Sequence, residues 1–206
     1  QVIKELSLGL SYFQHGLFQT NEMFENAPFI VNIDSTNNQL TATEFGINII
    51  DKNSFKLTAT ANDQFPYNLK TEKFNKTLLA NININEVYQF DQKITSEYYS
   101  FTISKSLFFK PNEIKENNKS YSFKLQETDK LAHNLITNII INPINKETSI
   151  LKLNIKAKNP KKNINILNKL CEIYIESGLD NKKGMAVQTI KFIDKQLNVI
   201  QDSLSL

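Results

Sequence analysis

The sequence predicts an α+β protein: a mixed sheet with a long C-terminal helix, one arm of a truncated coiled-coil hairpin, and a β-rich, sandwich-like insertion. Three observations lead there. Several runs between Pro28 and Thr128 alternate apolar and polar residues with period two, as strands do when one face meets a core and the other meets water. The run SILKLNIKAK repeats that alternation late in the chain and is followed by Pro160, a residue suited to the first turn of a helix. From Ala186 onward, apolar residues recur at steps of four and three, the spacing of a coiled-coil seam.

In chain order, QVIKELSLGL reads as the end of a helix with Val2, Ile3 and Leu6 on one face and Gly9 placed to terminate it. LSYFQHGLFQTNEMF follows as strand and turn. In the β-rich stretch, Phe55, Leu57 and Ala59 share one face, as do Tyr99, Phe101 and Ile103, and Tyr121, Phe123 and Leu125. TDKLAHNLITNI then suits a short helix capped by Thr128 or Asp129, with Leu131, Leu135 and Ile139 on its buried side. In SILKLNIKAK, Ile150 opens a strand whose Leu151, Leu153, Ile155 and Ala157 point one way. Residues 1–27 and 129–206 are expected to form the base, and residues 28–128 the insertion.

Beyond Pro160 the chain is helical. Ile164, Leu167, Cys171, Tyr174 and Ile175 form one stripe, with Ile166, Leu170 and Ile173 beside it. Gly178 and Gly184 predict a bend or a break. After them Ala186, Ile190, Ile193, Leu197, Ile200 and Leu204 form the seam of an oligomer or a hairpin. That seam needs a partner helix, from elsewhere in a longer chain or from another copy. The chain opens at Gln1 and its last helix stops at Leu206 without Gly, Pro or cap, so it reads as an excerpt.

Composition excludes several classes. With 206 residues and 40% apolar content, the chain can bury a core without metal or disulfide staples. No apolar run approaches the roughly 20 residues that span a bilayer. The net charge is only +3, and every basic residue is Lys. Without Arg, the planar fork that suits phosphate and guanine, no nucleic-acid partner is expected. The lone Cys171 allows no intrachain disulfide and, on the helical stripe, reads as a small buried hydrophobe.

No phosphate loop, HExxH, CxxC or GxSxG occurs. His15 and His133 lie in unrelated elements and read as structural or surface residues rather than ligands. Glu113 and Glu116 read as a solvated turn, not an acid–base pair. No catalytic, cofactor-binding or metal-binding residue is assigned, and no enzyme activity is expected of this chain. The β region is rich in aromatics, Phe45, Phe101 and Phe123 among them. Alternation makes most of them core fill; exposed ones would suit the alternative, a carbohydrate-binding β module contacting a polysaccharide.

At this point the motifs resemble a known family. SILKLNIKAKNP, then NILN and Tyr174, then Ala186, Thr189, Phe192, Ile193, Gln196 and Leu197 at their observed spacing, resemble the C-terminal half of the extracytoplasmic domain of polysaccharide co-polymerases of the tyrosine autokinase type. The segment SYFQHGLFQTNEMFENAPFIV is similar to the N-terminal stretch of the versions found in Bacteroidetes-like bacteria. These motifs cover about half the chain and bracket the rest. The resemblance implies a periplasmic domain of a Gram-negative inner-membrane protein, held by two flanking spans absent from this chain, which assembles into a ring of identical copies. It implies a role as chain length determinant in capsule or exopolysaccharide biosynthesis, with a polysaccharide polymerase and an outer-membrane exporter as partners. A cytoplasmic tyrosine kinase domain follows in many members, and no residue here belongs to it.

Overall fold

A computed structural model describes residues 1–204 except 17, 112–119, 146, 148, 157 and 158, and, of 202–204, the backbone alone. Glu113, Glu116 and Ala157 therefore lie outside the described residues. The class is α+β, with three helices and fourteen strands among the described residues.

The chain begins with α1 (Val2–Glu5). Its end is set two residues before Gly9: Ser7 takes a left-handed φ of 51°, and the Leu8 amide donates to the Ile3 carbonyl at 2.9 Å. That six-to-one bond closes the helix with serine where glycine is usual. Then come β1 (Leu10–His15), β2 (Thr20–Met23), β3 (Phe29–Ile33), β4 (Asn38–Gln39), β5 (Glu44–Ile49) and β6 (Ser54–Gln64). They are followed by β7 (Tyr67–Asn68), β8 (Lys73–Phe74), β9 (Ala80–Gln89), β10 (Lys93–Thr95), β11 (Ser100–Lys105) and β12 (Ser120–Leu125). The chain closes with α2 (Thr128–Asn138), β13 (Ile139–Pro143), β14 (Leu151–Ile155) and α3 (Pro160–Leu204).

The strands form a six-stranded sheet in the order β2-β1-β12-β5-β6-β9, a three-stranded sheet β10-β11-β3, a three-stranded sheet β4-β7-β8 and the hairpin β13-β14. Every registered pair among the described residues is antiparallel, so among them the sheets are antiparallel rather than the mixed sheet expected. Short turns join most neighbours, and parallel pairing would need long crossovers that this order of elements does not supply. β1 and β2, grouped from the sequence with the base, belong to the large sheet: Leu10 pairs with Leu125 and His15 with Ser120. The β body thus starts at Leu10, not Pro28.

The body is a sandwich. The period-two residues of β5, β6 and β12 meet those of β3, β10 and β11, and Phe29, Phe45, Phe55, Phe101 and Phe123 are almost wholly buried. Phe101 sits edge-on to both Phe45 and Phe123, each at 5.2 Å between ring centres, while Phe45 and Phe123 stack at 5.0 Å. Such edge-to-face and stacked pairs add to the burial itself. At the open edge of the smaller sheet, the Val31 amide donates to the Tyr12 hydroxyl at 3.1 Å, which removes one free donor from that edge.

A second, smaller core joins the helices. Ile3, Leu8, Leu131 and Ile166 are buried together, with Phe24, Leu135 and Ile155 against them. Glu127, not Thr128 or Asp129, takes the N-cap of α2, and its side chain makes no capping hydrogen bond. Ile139, expected on that helix, instead opens β13. β14 forms as expected but starts at Leu151, and its alternation finds little cover: Ile141, Ile150 and Leu151 are exposed and only Ile155 reaches the base cluster.

α3 starts at Pro160, and the Asn159 side chain accepts from the Lys162 amide at 3.1 Å, capping the first turn. Lys161 pairs with Glu25 at 2.9 Å, Lys162 with Glu22, and Lys169 with Glu5 at 3.4 Å, so ion pairs stitch its first turns to the body and to α1. The helix then runs unbroken through Gly178 and Gly184. A Cβ placed on either glycine would meet nothing within 4 Å beyond the adjoining helix backbone, so no packing forces a kink there. At 1.5 Å per residue its 45 residues span about 67 Å.

Candidate functional site

Of the residues assigned to the seam, Ala186, Ile190, Ile193, Leu197 and Ile200 lie on one face of α3 and are exposed. Ile190, Ile193, Leu197 and Ile200 are 59, 50, 54 and 53% exposed, and Ala186 is exposed with them. Leu204 ends the helix, and its side chain lies outside the described residues. From Tyr174 to Gln201 every described residue is exposed, so the last inward-facing one is Ile173. The face that docks on the base is the second of the two stripes: Ile166 is buried, and Leu170 and Ile173 are half-buried. Ile164, Tyr174 and Ile175, on the stripe first favoured, face water, and Cys171 goes with them. The reading of Cys171 as buried is therefore corrected: docking of Ile166 onto Ile3 and Leu131 turns the cysteine outward.

Two features of this surface escaped the sequence. The seam extends backward through Leu179 to Ile175, which the expected break at the glycines concealed. A second apolar line runs through Met185, Phe192 and Val199 at steps of seven, all three exposed. At 100° per residue it lies about 120° around the helix from the first. The signal was present as a third apolar position in each heptad.

A second candidate lies on the solvent face of the large sheet, where β1, β12, β5 and β6 run side by side. A cleft of about 490 Å³ opens there. Along one wall, His15 Nε2 lies 2.8 Å from Ser122 Oγ and 3.1 Å from Glu44 Oε1, and Ser122 donates to the same Glu44 oxygen. His15 Nδ1 is 3.1 Å from Thr20 Oγ1. Ser122 is 1% exposed, so three strands fix this group rigidly. It is not a catalytic triad. The serine and the acid share one ring nitrogen, whereas proton relay requires them on opposite nitrogens. The sequence could not show it, because its members are 29 and 78 residues apart and alternation gives faces, not neighbours. His133 stands alone and exposed on α2. Among the described residues, no three His, Cys, Asp or Glu side chains are placed to hold a metal ion.

The aromatics divide as alternation suggests. Phe45, Phe55, Phe101 and Phe123 fill the sandwich, whereas Phe65, Phe74 and Phe108 are partly exposed and scattered at strand ends and turns. No helix among the described residues is long and apolar enough to cross a membrane. Compared with known proteins, the chain matches no family model and no curated relative.

Proposed function

We propose that this chain is a non-catalytic, periplasmic scaffold of a Gram-negative inner-membrane protein, which regulates chain length and export of a capsular or exopolysaccharide by assembling into a ring with copies of itself. The observation that carries self-assembly is α3: a continuous helix whose apolar seam is half or more exposed over its last seven turns. A solitary helix gains little from its own hydrogen bonds and is made stable by burying an apolar face. The second line through Met185, Phe192 and Val199 favours a ring over a pair, since two seams about 120° apart admit a neighbour on each side. The exposed Ile140, Ile141, Ile150 and Leu151 of the β13–β14 hairpin offer a further lateral contact with open strand edges.

The polysaccharide setting is supported by the ordered motifs from SYFQHG to FIDKQL. In this reading the ring stands beside the polymerase and the outer-membrane exporter, and its packing sets how long the growing chain is held. Sedimentation velocity tests it on the 206-residue chain and on the parent protein in detergent. Weak, concentration-dependent association is expected of the chain alone, because flanking spans that raise local concentration are missing. A discrete ring is expected of the parent, lost on Ile193→Asp with Leu197→Asp. A parent that stays monomeric at every concentration sinks the reading.

A further inference from the structure

The cleft on the large sheet is built for a ligand that the scaffold reading does not require. We infer that it binds a neutral, hydroxyl-rich ligand, a short stretch of saccharide chain. Its wall is preorganised: Ser122, His15, Glu44 and Thr20 hold one another by short hydrogen bonds, so no ordering is needed there when a ligand arrives. Its floor is open because of one residue. A Cβ on Gly46 would come within 2.5 Å of Thr58 Oγ1 and push that hydroxyl aside, so glycine here leaves both the space and the Thr58 hydroxyl open to a ligand.

The groups facing that space are open to solvent and have no protein partner among the described residues. Asn48, Lys56, Thr58 and Thr60 line the cleft and make no side-chain hydrogen bond or ion pair among the described residues. They supply an amide and two hydroxyls, each both donor and acceptor, and one ammonium donor. With Glu44 opposite Lys56 in charge, the cleft selects neither anions nor cations. Alternating donors and acceptors with balanced charge match vicinal hydroxyls, which give and take hydrogen bonds at spacings of a few ångströms. Tyr121 lines the cleft but its ring packs inward against Phe29, so no Phe, Tyr or Trp among the lining residues offers a stacking face there and the affinity is weak and resides in polar contacts. Glu44 is the one carboxylate among the described residues that line the cleft, whereas glycoside hydrolysis uses two, so the role inferred is binding and not cleavage.

Nuclear magnetic resonance titration of the ¹⁵N-labelled 206-residue chain tests this, with neutral tetrasaccharides of glucose, galactose, mannose and N-acetylglucosamine, and with tetragalacturonate as the charged probe. At least one neutral probe is expected to shift the amides of His15, Gly46, Thr58 and Ser122 saturably. Asn48→Ala and Thr60→Ala, both on exposed side chains, are expected to weaken that binding about fivefold or more with an unchanged melting curve. Gly46→Ala should abolish it, and its own melting curve separates a filled cleft from a misfolded chain. Flat titrations with every probe overturn the inference, as does binding confined to tetragalacturonate or shifts confined to other surfaces. The outcome is independent of self-assembly: sugar binding by the chain together with a parent that stays monomeric refutes the scaffold alone, and a parent that forms a ring but binds no sugar refutes the cleft alone.

Discussion

The β body and the distal half of α3 use apolar residues in opposite ways. In the body, Phe45, Phe101 and Phe123 bury one another between two sheets, and the solvent face carries hydroxyls, amides and charges. Along α3 beyond Ile173, Ile190, Ile193 and Leu197 lie in water although they are just as apolar. The first region is finished within one chain. The second leaves an apolar face in water, which the proposed self-assembly would cover. Stability therefore belongs to the body, and in the proposed reading association belongs to the helix.

Substitutions should separate the two. Phe101→Ala, which empties the centre of the sandwich, is expected to cost about 3–5 kcal/mol in urea denaturation, while leaving any sedimentation-detected association of the surviving folded fraction unchanged. Ile166→Ala, at the junction where α3 docks, should cost about 2–3 kcal/mol and loosen the helix from the body, seen as faster amide exchange around Leu131. A smaller effect is expected from acid. The Asp34 carboxyl is held below its ordinary value of 3.8, first by the Thr36 hydroxyl, then by the Lys93 ammonium and the Thr36 amide. Its contribution is complete above that ordinary value and drains away as pH falls through the depressed one, so Asp34→Asn should flatten the acid limb of the stability curve.

The two remaining changes should be nearly silent in stability. The Tyr67 hydroxyl is buried, and no described residue partners it. Tyr67→Phe should therefore leave the body unchanged or more stable by up to about 1 kcal/mol in the same denaturation assay. Ile193→Asp with Leu197→Asp should alter stability at low concentration by less than about 0.5 kcal/mol, because neither side chain touches the rest of the chain. If that pair destabilises the isolated chain by 2 kcal/mol or more in chemical denaturation, the helix is packed within one molecule and the contrast collapses.

The sequence revealed faces better than neighbours. Alternation placed Phe55, Leu57 and Ala59 inward correctly, because period two is a local property of a strand. It could not place β12 between β1 and β5, since nothing in SYSFKL names its partners. The cleft was invisible for the same reason: it exists only once His15, Glu44 and Ser122 are brought together by that order. The helical run of α3 and its apolar face were legible, because a repeat of seven needs no tertiary information. Gly178 and Gly184 misled, since glycine costs a helix only about 1 kcal/mol each and the flanking formers outweigh it. β13 was hidden because IIIN continues a helical run without punctuation and becomes a strand only by pairing with β14.

The position of β12 has a consequence for how the molecule is made. Leu10 finds Leu125 across a loop of more than a hundred residues, so the large sheet cannot close until nearly all of the body has been synthesised. Such a high contact order points to folding in milliseconds to seconds rather than microseconds. Until then β1 and β5 have vacant edges side by side, open to strands from other chains. The nascent body therefore presents pairing edges to other chains until its last strand arrives, and that strand, not the first, completes the sheet.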